Sequence, residues 1–217
     1  MVERYVRLSA RTAEEGYLQA RSWAGAAGTA IDAALLFGAG PAVIGALDEL
    51  GPVIVLTPLT GSPVAVGVAA ERLARFGASW ITVAANAGGE VMGAAVAAVA
   101  GAGCRVAVET LPVGLDDAAT AALVGSGRGR HISRLAGVAA AAGVHGVLCA
   151  WGDLGVIAQV APKLTRILDS GGGEVRWAEA ADRGAGVLVL PDAGALGALG
   201  PALGAPIERS GRGRGRR

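Results

Sequence analysis

Few side chains in this sequence could carry out acid–base or nucleophilic chemistry. Of its 217 residues, 17% are Asp, Glu, Lys or Arg, and Lys163 is the only lysine among 19 basic residues. Schiff-base formation, proton donation by lysine and P-loop phosphate binding would all depend on Lys163. Cys104 and Cys149 show neither CxxC spacing nor a His/Cys cluster. We therefore predict no metal site, no disulfide framework and no cofactor.

Two carboxylates that close apolar runs are the candidate catalytic groups. Glu109 closes RVAVE and Asp169 closes LTRILD. If Glu109 points into an enclosed site, burial raises its pKa and suits it to proton transfer; an orientation toward a neighbouring helix is the alternative. After Asp169, the backbone amides of Gly171 and Gly172 could bind an anion. Against that, Asp169 and Glu174 flank this turn, and glycine turns are common in a chain with 36 Gly.

The other candidates are uncharged side chains that could bind a small molecule but supply no strong acid or base. A Trp ring at the edge of a site offers an apolar face to a ring-shaped ligand, while contact with a second subunit is the alternative for Trp151. The candidate substrate-binding residues are Ser9, Thr57, Thr60, Asn86, Trp151, Gly171 and Gly172.

Two segments concentrate positive charge. GSGRGRH holds Arg128, Arg130 and His131, which either bind an anion at a helix start or form a solvated loop. The final IERSGRGRGRR contains five Arg and one Glu, so it could contact nucleic-acid phosphates, but it lacks an aromatic residue to stack on bases. We interpret residues 207–217 as a disordered, solubilising tail and predict no other contact with nucleic acid.

The elements that must position these residues follow from an alternation of two patterns. Eight short runs rich in β-branched residues alternate with Ala-rich segments of helical periodicity. Strands that are apolar on both faces indicate a parallel sheet covered by helices. The pattern predicts one α/β domain over residues 1–206, a single (β/α)8 TIM barrel whose chemistry lies at the C-terminal ends of the strands; a doubly wound open sheet is the alternative. The runs are YVRL (5–8), IDAALLF (31–37), VIVLT (53–57), WITVA (80–84), RVAVET (105–110), GVLCA (146–150), LTRIL (164–168) and VLVLP (187–191).

The charge pattern favours a cytoplasmic protein without a membrane segment. The N-terminal MVERYVRLSARTAEE is charged throughout, which does not fit a signal peptide. The uncharged stretch 50–70 contains Pro52, Pro58 and Pro63. Because proline interrupts helices, this stretch suits a strand and its loop better than a spanning helix.

Several segments follow one another in an order that is typical of a known barrel family. GASWITV followed by GGEVM resembles a G-A-D-x-(V/I)-T-V-H strand and the Gly-Gly that opens the next helix. LAGVAAAAGVHGVLCAW, AEAADRGAGVLVLPD and VRLSARTAEEGYLQA resemble the sixth, final and opening units of the same family. The family is the orotidine 5′-monophosphate decarboxylase superfamily, with hexulose-phosphate synthases and keto-gulonate-phosphate decarboxylases. The resemblance covers most of residues 5–200 and implies a barrel of the ribulose-phosphate-binding type and a homodimer.

The resemblance does not extend to the family's functional residues. This sequence has other residue types at the positions of the family's D-x-K-x-x-D motif, first-strand Asp, fourth-strand His and phosphate-binding Gly-Arg. An acidic side chain at the phosphate position repels the ligand, and Lys163 precedes the seventh strand, at the opposite end of the barrel. The matching positions hold Leu56, Pro58 and Gly61; Ser9; Ala84; and Pro191 with Asp192.

These observations lead to two functional hypotheses. The first is a diverged orotidylate-decarboxylase-like barrel of specialised metabolism, a lyase-type or related enzyme that acts on a small non-standard substrate and not on orotidylate. Glu109 and Asp169 would be its acid–base groups. The second is a non-catalytic pseudoenzyme, a dimeric barrel that binds a ligand or a partner.

Overall fold

Eight parallel strands form a closed barrel in which each strand pairs with its neighbours along the chain and β1 pairs with β8. This confirms the predicted (β/α)8 fold. The computed structural model describes residues 2–24, 27–112, 114–170 and 176–199; Gly171, Gly172 and the predicted tail at 207–217 lie outside the described residues. The strands are β1 (Glu3–Arg7), β2 (Gly28–Ile31), β3 (Val53–Leu59), β4 (Ala78–Ala84), β5 (Arg105–Glu109), β6 (Gly146–Cys149), β7 (Thr165–Asp169) and β8 (Ala185–Leu190).

Helices follow the strands and cover the outside of the barrel. Several begin at a polar side chain that accepts a backbone N–H of the first turn, as Thr12 and Ser62 do for the first and fourth helices. None of the helices in the described ranges combines the length and the apolar character that crossing a bilayer requires. The helices are α1 (Ala13–Arg21), α2 (Ala33–Ala39), α3 (Ala42–Asp48), α4 (Pro63–Arg75), α5 (Gly89–Ala98), α6 (Asp117–Val124), α7 (Arg128–Ala141), α8 (Leu154–Val160), α9 (Trp177–Ala180) and α10 (Ala193–Ala198).

The second strand lies earlier in the chain than its apolar run predicted. A strand over residues 31–37 is wrong: β2 ends at Ile31, and α2 occupies Ala33–Ala39. Asp32 explains the change, because its Oδ1 accepts the N–H groups of Ala34 (3.0 Å) and Leu35 (3.2 Å) and so starts a helix. The Ala and Leu residues that follow are good helix formers.

Two layers of apolar side chains fix which strand residues point inward. Alternate residues of each strand face opposite sides, so one set fills the barrel and the other packs beneath the helices. The outer layer includes Val6, Val108 and Leu168. The inner cluster comprises Tyr5, Ala30, Ile54, Trp80, Ala107, Leu148, Ile167, Val187 and Val189, with Leu56 packed against it.

The N-terminal end of the barrel is closed by a polar cluster around Glu3. Its Oε2 accepts hydrogen bonds from the Tyr5 hydroxyl (3.1 Å), Trp80 Nε1 (3.3 Å) and the Arg105 guanidinium (2.8 Å). Arg105 also lies over the Trp80 ring, 4.0 Å from its centroid. Burial alone would raise the pKa of Glu3, but the hydrogen bond and charge of Arg105, with the bonds from Trp80 and Tyr5, outweigh it and lower that pKa. Residues at this end of a TIM barrel serve stability.

Candidate functional site at the barrel mouth

Three ionisable side chains share the inner face of the barrel at its C-terminal end, which we call the mouth. Arg7 lies two residues beyond Tyr5 on β1, Glu109 two beyond Ala107 on β5, and Asp169 two beyond Ile167 on β7. Because those three preceding residues belong to the inner cluster, strand alternation places Arg7, Glu109 and Asp169 inside the barrel.

Arg7 and Asp169 form an ion pair across the mouth. One guanidinium nitrogen of Arg7 lies 2.5 Å from Asp169 Oδ2, and the two side chains are 30% and 7% exposed. A carboxylate as buried as Asp169 needs such a charged partner, because desolvation of an unpaired charge is costly. The pair therefore holds the Asp169 carboxylate in a fixed position at the end of β7.

Glu109 is half-buried beside this pair. Burial raises the pKa of the Glu109 carboxyl, and the negative charge of Asp169 raises it further. Of the two orientations that the sequence left open, the structure has the inward one. A carboxyl whose pKa is raised can bind and release a proton nearer to neutral pH than an ordinary Glu, which is what a general acid or base requires.

A small residue separates the two carboxylates. Glu109 pairs with Leu148 of β6, and Cys149 of β6 pairs with Leu168 of β7. Continuing that register by one residue puts Ala150 opposite Asp169, at the end of the strand that lies between β5 and β7. The short side chain of Ala150 leaves the charges of Glu109 and Asp169 free to interact across β6.

The uncharged residues predicted to bind substrate are spread around the rim. Ser9 is exposed, and its N–H donates to Gln19 Oε1 at 3.2 Å. Thr60 is exposed after β3, and Asn86 is exposed in a short 3-10 turn after β4. Thr57 Oγ1 is buried and has no hydrogen-bond partner among the described residues; by alternation from Leu56, Thr57 faces the helices. Three of these side chains are thus exposed at the rim, and Thr57 faces away from the barrel interior.

Trp151 lies just after β6, at the start of a 3-10 turn that runs to Asp153. It is half-buried and packs against the apolar layer between strands and helices. The guanidinium of Arg183 lies 4.8 Å from the centroid of its ring. One face of the indole therefore has a cation as its neighbour.

The predicted loop 125–131 is wrong in its bounds: Arg128, Arg130 and His131 lie in the first turn of α7, and Arg128 makes an internal contact. Arg128 forms a two-pronged ion pair with Asp153, with Nε at 2.9 Å from Oδ1 and a terminal nitrogen at 2.6 Å from Oδ2. His131 is buried on α7, and Arg130 is exposed. The Arg128 guanidinium is thus bound within the protein, which removes it from the anion site that the sequence offered as one alternative.

Sequence reasoning missed Arg7 and Asp153. Arg7 could have been found, because it is two residues from Tyr5 in a short apolar strand and so lies on the same face. Asp153 gives no comparable signal, since its partner Arg128 is 25 residues away in the chain.

Among the residues that the structure describes, no group of three or more His, Cys, Asp or Glu side chains could hold a metal ion.

A side-chain carboxylate caps the helix that follows β8. Asp192 begins α10, and its Oδ1 accepts the N–H of Ala195 at 2.9 Å. In many TIM barrels the loops after the last two strands and a following helix start bind a phosphate. Here a carboxylate of the chain itself accepts a hydrogen bond from that helix start.

Comparisons with known proteins extend the assignment of the fold. No family model matches the chain. An uncharacterized conserved protein from Geobacillus kaustophilus superposes with a TM-score of 0.77 at 22% identity, over 87% of this chain and 90% of that one. Orotidine 5′-phosphate decarboxylase from Lactobacillus acidophilus gives 0.76 at 18% identity, over 88% and 90%.

A third structure, 3-hexulose-6-phosphate synthase from Salmonella typhimurium, gives a TM-score of 0.67 at 15% identity, over 88% of this chain and 89% of that one. All three superpose over nearly their whole length, so the similarity covers the barrel and not a fragment of it. At these identities the likeness is one of fold. The chain therefore has a (β/α)8 barrel of the kind found in an orotidine 5′-phosphate decarboxylase and a 3-hexulose-6-phosphate synthase.

Proposed function

We propose that the barrel mouth is the acid–base site of a lyase-type or related enzyme that acts on a small organic molecule. The observation that carries this proposal is the position of Glu109, half-buried on the inner face, where burial and the charge of the buried Asp169 carboxylate raise its pKa. Active sites of TIM barrels lie at this end of the strands, and perturbed carboxyl groups cluster at functional sites. The resemblance in segment order makes a diverged member of the orotidine 5′-monophosphate decarboxylase superfamily the best description.

In this proposal Glu109 carries the proton. Its protonated form donates to the carbon or oxygen atom on which an electron pair develops as a substrate bond breaks, and the resulting carboxylate recovers a proton from water. Asp169, held by Arg7, opposes ionisation of Glu109 and so keeps its proton available. Arg7 and Asp169 thereby position Glu109 and set its tendency to ionise.

Orotidylate is not the substrate in this proposal. The positions that match the family's D-x-K-x-x-D motif hold Leu56, Pro58 and Gly61, and Leu56 packs against the apolar inner cluster. Lys163 is exposed and precedes β7, at the N-terminal end of that strand. No lysine is therefore placed to protonate a carbanion at the mouth. We further propose a cytoplasmic homodimer, by analogy with the family.

A non-catalytic, ligand-binding barrel is the second candidate. One observation favours it: Arg7 and Asp169 neutralise each other at 2.5 Å, so two of the three charged groups at the mouth are already satisfied within the protein. In that case the mouth would bind a neutral ligand without turning it over.

The test is a thermal-shift screen against nucleotides, sugar phosphates and neutral metabolites, followed by mass spectrometry of any stabilising compound for turnover. We expect the wild-type protein to convert a stabilising compound and Glu109→Gln to bind it without converting it. Glu90→Gln, an exposed glutamate at the start of α5, is the control and should retain turnover. Binding without turnover by the wild type would favour the second candidate, and stabilisation by uridylate or orotidylate analogues would contradict the proposed substrate class.

A further inference from the structure

Arg128 is the centre of a buried polar cluster that lies just outside the mouth. Its Nε and one terminal nitrogen bind both carboxylate oxygens of Asp153, and its other terminal nitrogen donates to the carbonyl of Leu115 at 2.7 Å. Its backbone N–H donates to Asp117 Oδ1, also at 2.7 Å. The Arg128 and Asp153 side chains are 15% and 6% exposed. We call this pair the Arg128–Asp153 clasp.

The clasp joins the connection between β5 and β6 to the turn after β6. Leu115 and Asp117 belong to the connection that leaves β5 after Glu109, and Arg128 begins α7. Asp153 belongs to the turn that follows β6, and its Oδ2 also accepts the N–H of Ala150 at 3.0 Å. One guanidinium and one carboxylate therefore tie the chain after β5 to the chain after β6.

The mouth carboxylates lie on β5 and β7, on either side of β6. Ala150 stands between Glu109 and Asp169 in the strand order, and the clasp fixes its backbone. The Cys149 thiol, next to Ala150, lies near both groups: burial chiefly raises the pKa of Cys149, the charges of Asp153 and Asp169 raise it further, and those of Arg166 and Arg128 lower it. The clasp and the mouth carboxylate thus lie on either side of the end of β6.

We propose that Arg128 and Asp153 are positioning residues for Glu109: they tie the connection after β5 to the turn after β6, and so hold Ala150 in place between Glu109 on β5 and Asp169 on β7. The inference rests on the proposed function, because it assigns a role in setting the protonation of its acid–base group. Opening the clasp would release Ala150 and Leu115, admit water between the strand ends and weaken the repulsion between Glu109 and Asp169. All three changes favour the charged form of Glu109.

The test measures the pKa of Glu109 by carbon-13 NMR of the side-chain carboxyl groups, with Glu109→Gln to assign the signal. The key variant is the double substitution Arg128→Met with Asp153→Asn, which opens the clasp without changing the net charge. We expect the pKa of Glu109 to fall by about half a unit or more. Glu71→Gln with Arg75→Met, which removes the exposed ion pair of α4, is the matched control and should leave it unchanged.

The single variants separate positioning from a direct effect of charge. Arg128→Met leaves a negative charge and Asp153→Asn leaves a positive one, so direct electrostatics would shift the pKa of Glu109 in opposite directions. A positioning role predicts that the pKa of Glu109 decreases in both single variants. Loss of thermal stability alone, with the pKa of the folded protein unchanged in all three variants, would overturn the inference.

Two further outcomes are decisive. If the wild-type Glu109 titrates at its ordinary value, the proposed function loses its main support and the positioning role falls with it. If the wild-type pKa is raised and the clasp variants do not move it, only the positioning role is overturned. Should the variants not fold, hydrogen exchange of the wild-type Ala150 amide decides: slow exchange supports a closed clasp, and exchange at the rate of an open loop excludes it.

Discussion

At the scale of single residues, the mouth carries a stability cost at Glu109. Glu109 is half-buried near a second carboxylate, so its charged form is disfavoured in the folded protein. Asp169 is buried but has the Arg7 guanidinium beside it. Groups that are arranged for chemistry rather than for stability carry such a cost in the folded protein. The cost at Glu109 can be measured as a change in folding stability, without knowledge of the substrate.

Replacement of Glu109 by glutamine should stabilise the protein at neutral pH. Folding raises the pKa of Glu109 above its ordinary 4.5, so the folded protein binds this proton more tightly than the unfolded one. Stability therefore falls as the pH rises from 4.5 through the folded pKa. Because glutamine does not ionise, we expect Glu109→Gln to raise the Tm at pH 7 by about 1–4 °C, with the gain disappearing in acid.

The control for this prediction is Glu90→Gln, which removes a carboxylate from the favourable first turn of α5 and should give no gain. Differential scanning fluorimetry between pH 4 and pH 8 measures both variants. A Tm for Glu109→Gln that equals or falls below that of the wild type at pH 7 would contradict the burial and the proximity to Asp169 on which the site rests.

The Arg7–Asp169 pair should show strong energetic coupling. Arg7→Met leaves the buried Asp169 carboxylate without its guanidinium, and we expect a loss of about 2–4 kcal/mol in the free energy of unfolding at pH 7. Asp169→Asn leaves Arg7, which is more exposed, and should cost less. In a double-mutant cycle measured by urea unfolding, the two effects should be non-additive by about 1–3 kcal/mol. Additive effects would show that the pair does not form in solution.

At the scale of elements, glycines in two strands make room for the large side chains inside the barrel. A Cβ on Gly146 of β6 would lie 2.8 Å from the carbonyl oxygen of Thr165 and 3.0 Å from the Trp80 ring. A Cβ on Gly28 of β2 would lie 2.7 Å from the Tyr5 ring. Because Tyr5 and Trp80 are fully buried, these strands can pair with their neighbours only where the glycines leave that space.

We expect Gly146→Ala to destabilise the barrel by about 1–3 kcal/mol, because the added methyl group overpacks a region bounded by backbone and an aromatic ring. Gly93→Ala is the matched control: Gly93 lies inside α5, and its Cβ would meet nothing within 4 Å. Alanine there should stabilise by about 0.5–1 kcal/mol through helix propensity. Urea unfolding of both variants tests the contrast, and a neutral Gly146→Ala would contradict the packing of Trp80.

The strands show where prediction from the sequence succeeds and where it fails. Runs such as VIVLT and RVAVET predicted strands because β-branched residues packed on both faces leave little other choice. IDAALLF failed because one side chain, Asp32, accepts two amide N–H groups and turns an apolar run into a helix. The capping hydrogen bonds of Asp32 and the helix propensity of the Ala and Leu residues thus decided the structure of this segment, and the hydrophobic pattern alone does not reveal them.

At the scale of the whole molecule, the number and order of βα units determined the closed barrel, and closure then determined the site. Glu109 and Asp169 could be proposed from the sequence because both end apolar strands. Their relation to Arg7 depends on β1 pairing with β8, a contact between residues such as Tyr5 and Val189. The Arg128–Asp153 contact likewise depends on the way in which the connections that follow β5 and β6 fold back at the mouth. Such contacts follow from tertiary structure and have no local sequence signal.

The two ends of the barrel should respond to pH in opposite ways. At the N-terminal end, the pKa of Glu3 is lowered below 4.5 on folding, so its contribution to stability is present above that pH and is lost as the pH falls through the folded pKa. Glu3→Gln keeps an oxygen for Tyr5 and Trp80 but loses the charge opposite Arg105. We expect it to destabilise the protein at pH 7 by about 1–2 kcal/mol, a modest value because both partners are partly exposed.

As the pH falls through the folded pKa of Glu3, the wild-type side chain is protonated as well, so the difference between Glu3→Gln and the wild type should shrink. Glu109→Gln should be more stable than the wild type at pH 7, and this difference in stability should also disappear in acid. Unfolding measured at pH 7 and pH 3 for both variants therefore separates a carboxylate that stabilises the barrel from one that strains it. Two variants that shift stability in the same direction at pH 7 would show that Glu109 is a structural residue like Glu3, and the acid–base role proposed for the mouth would fail.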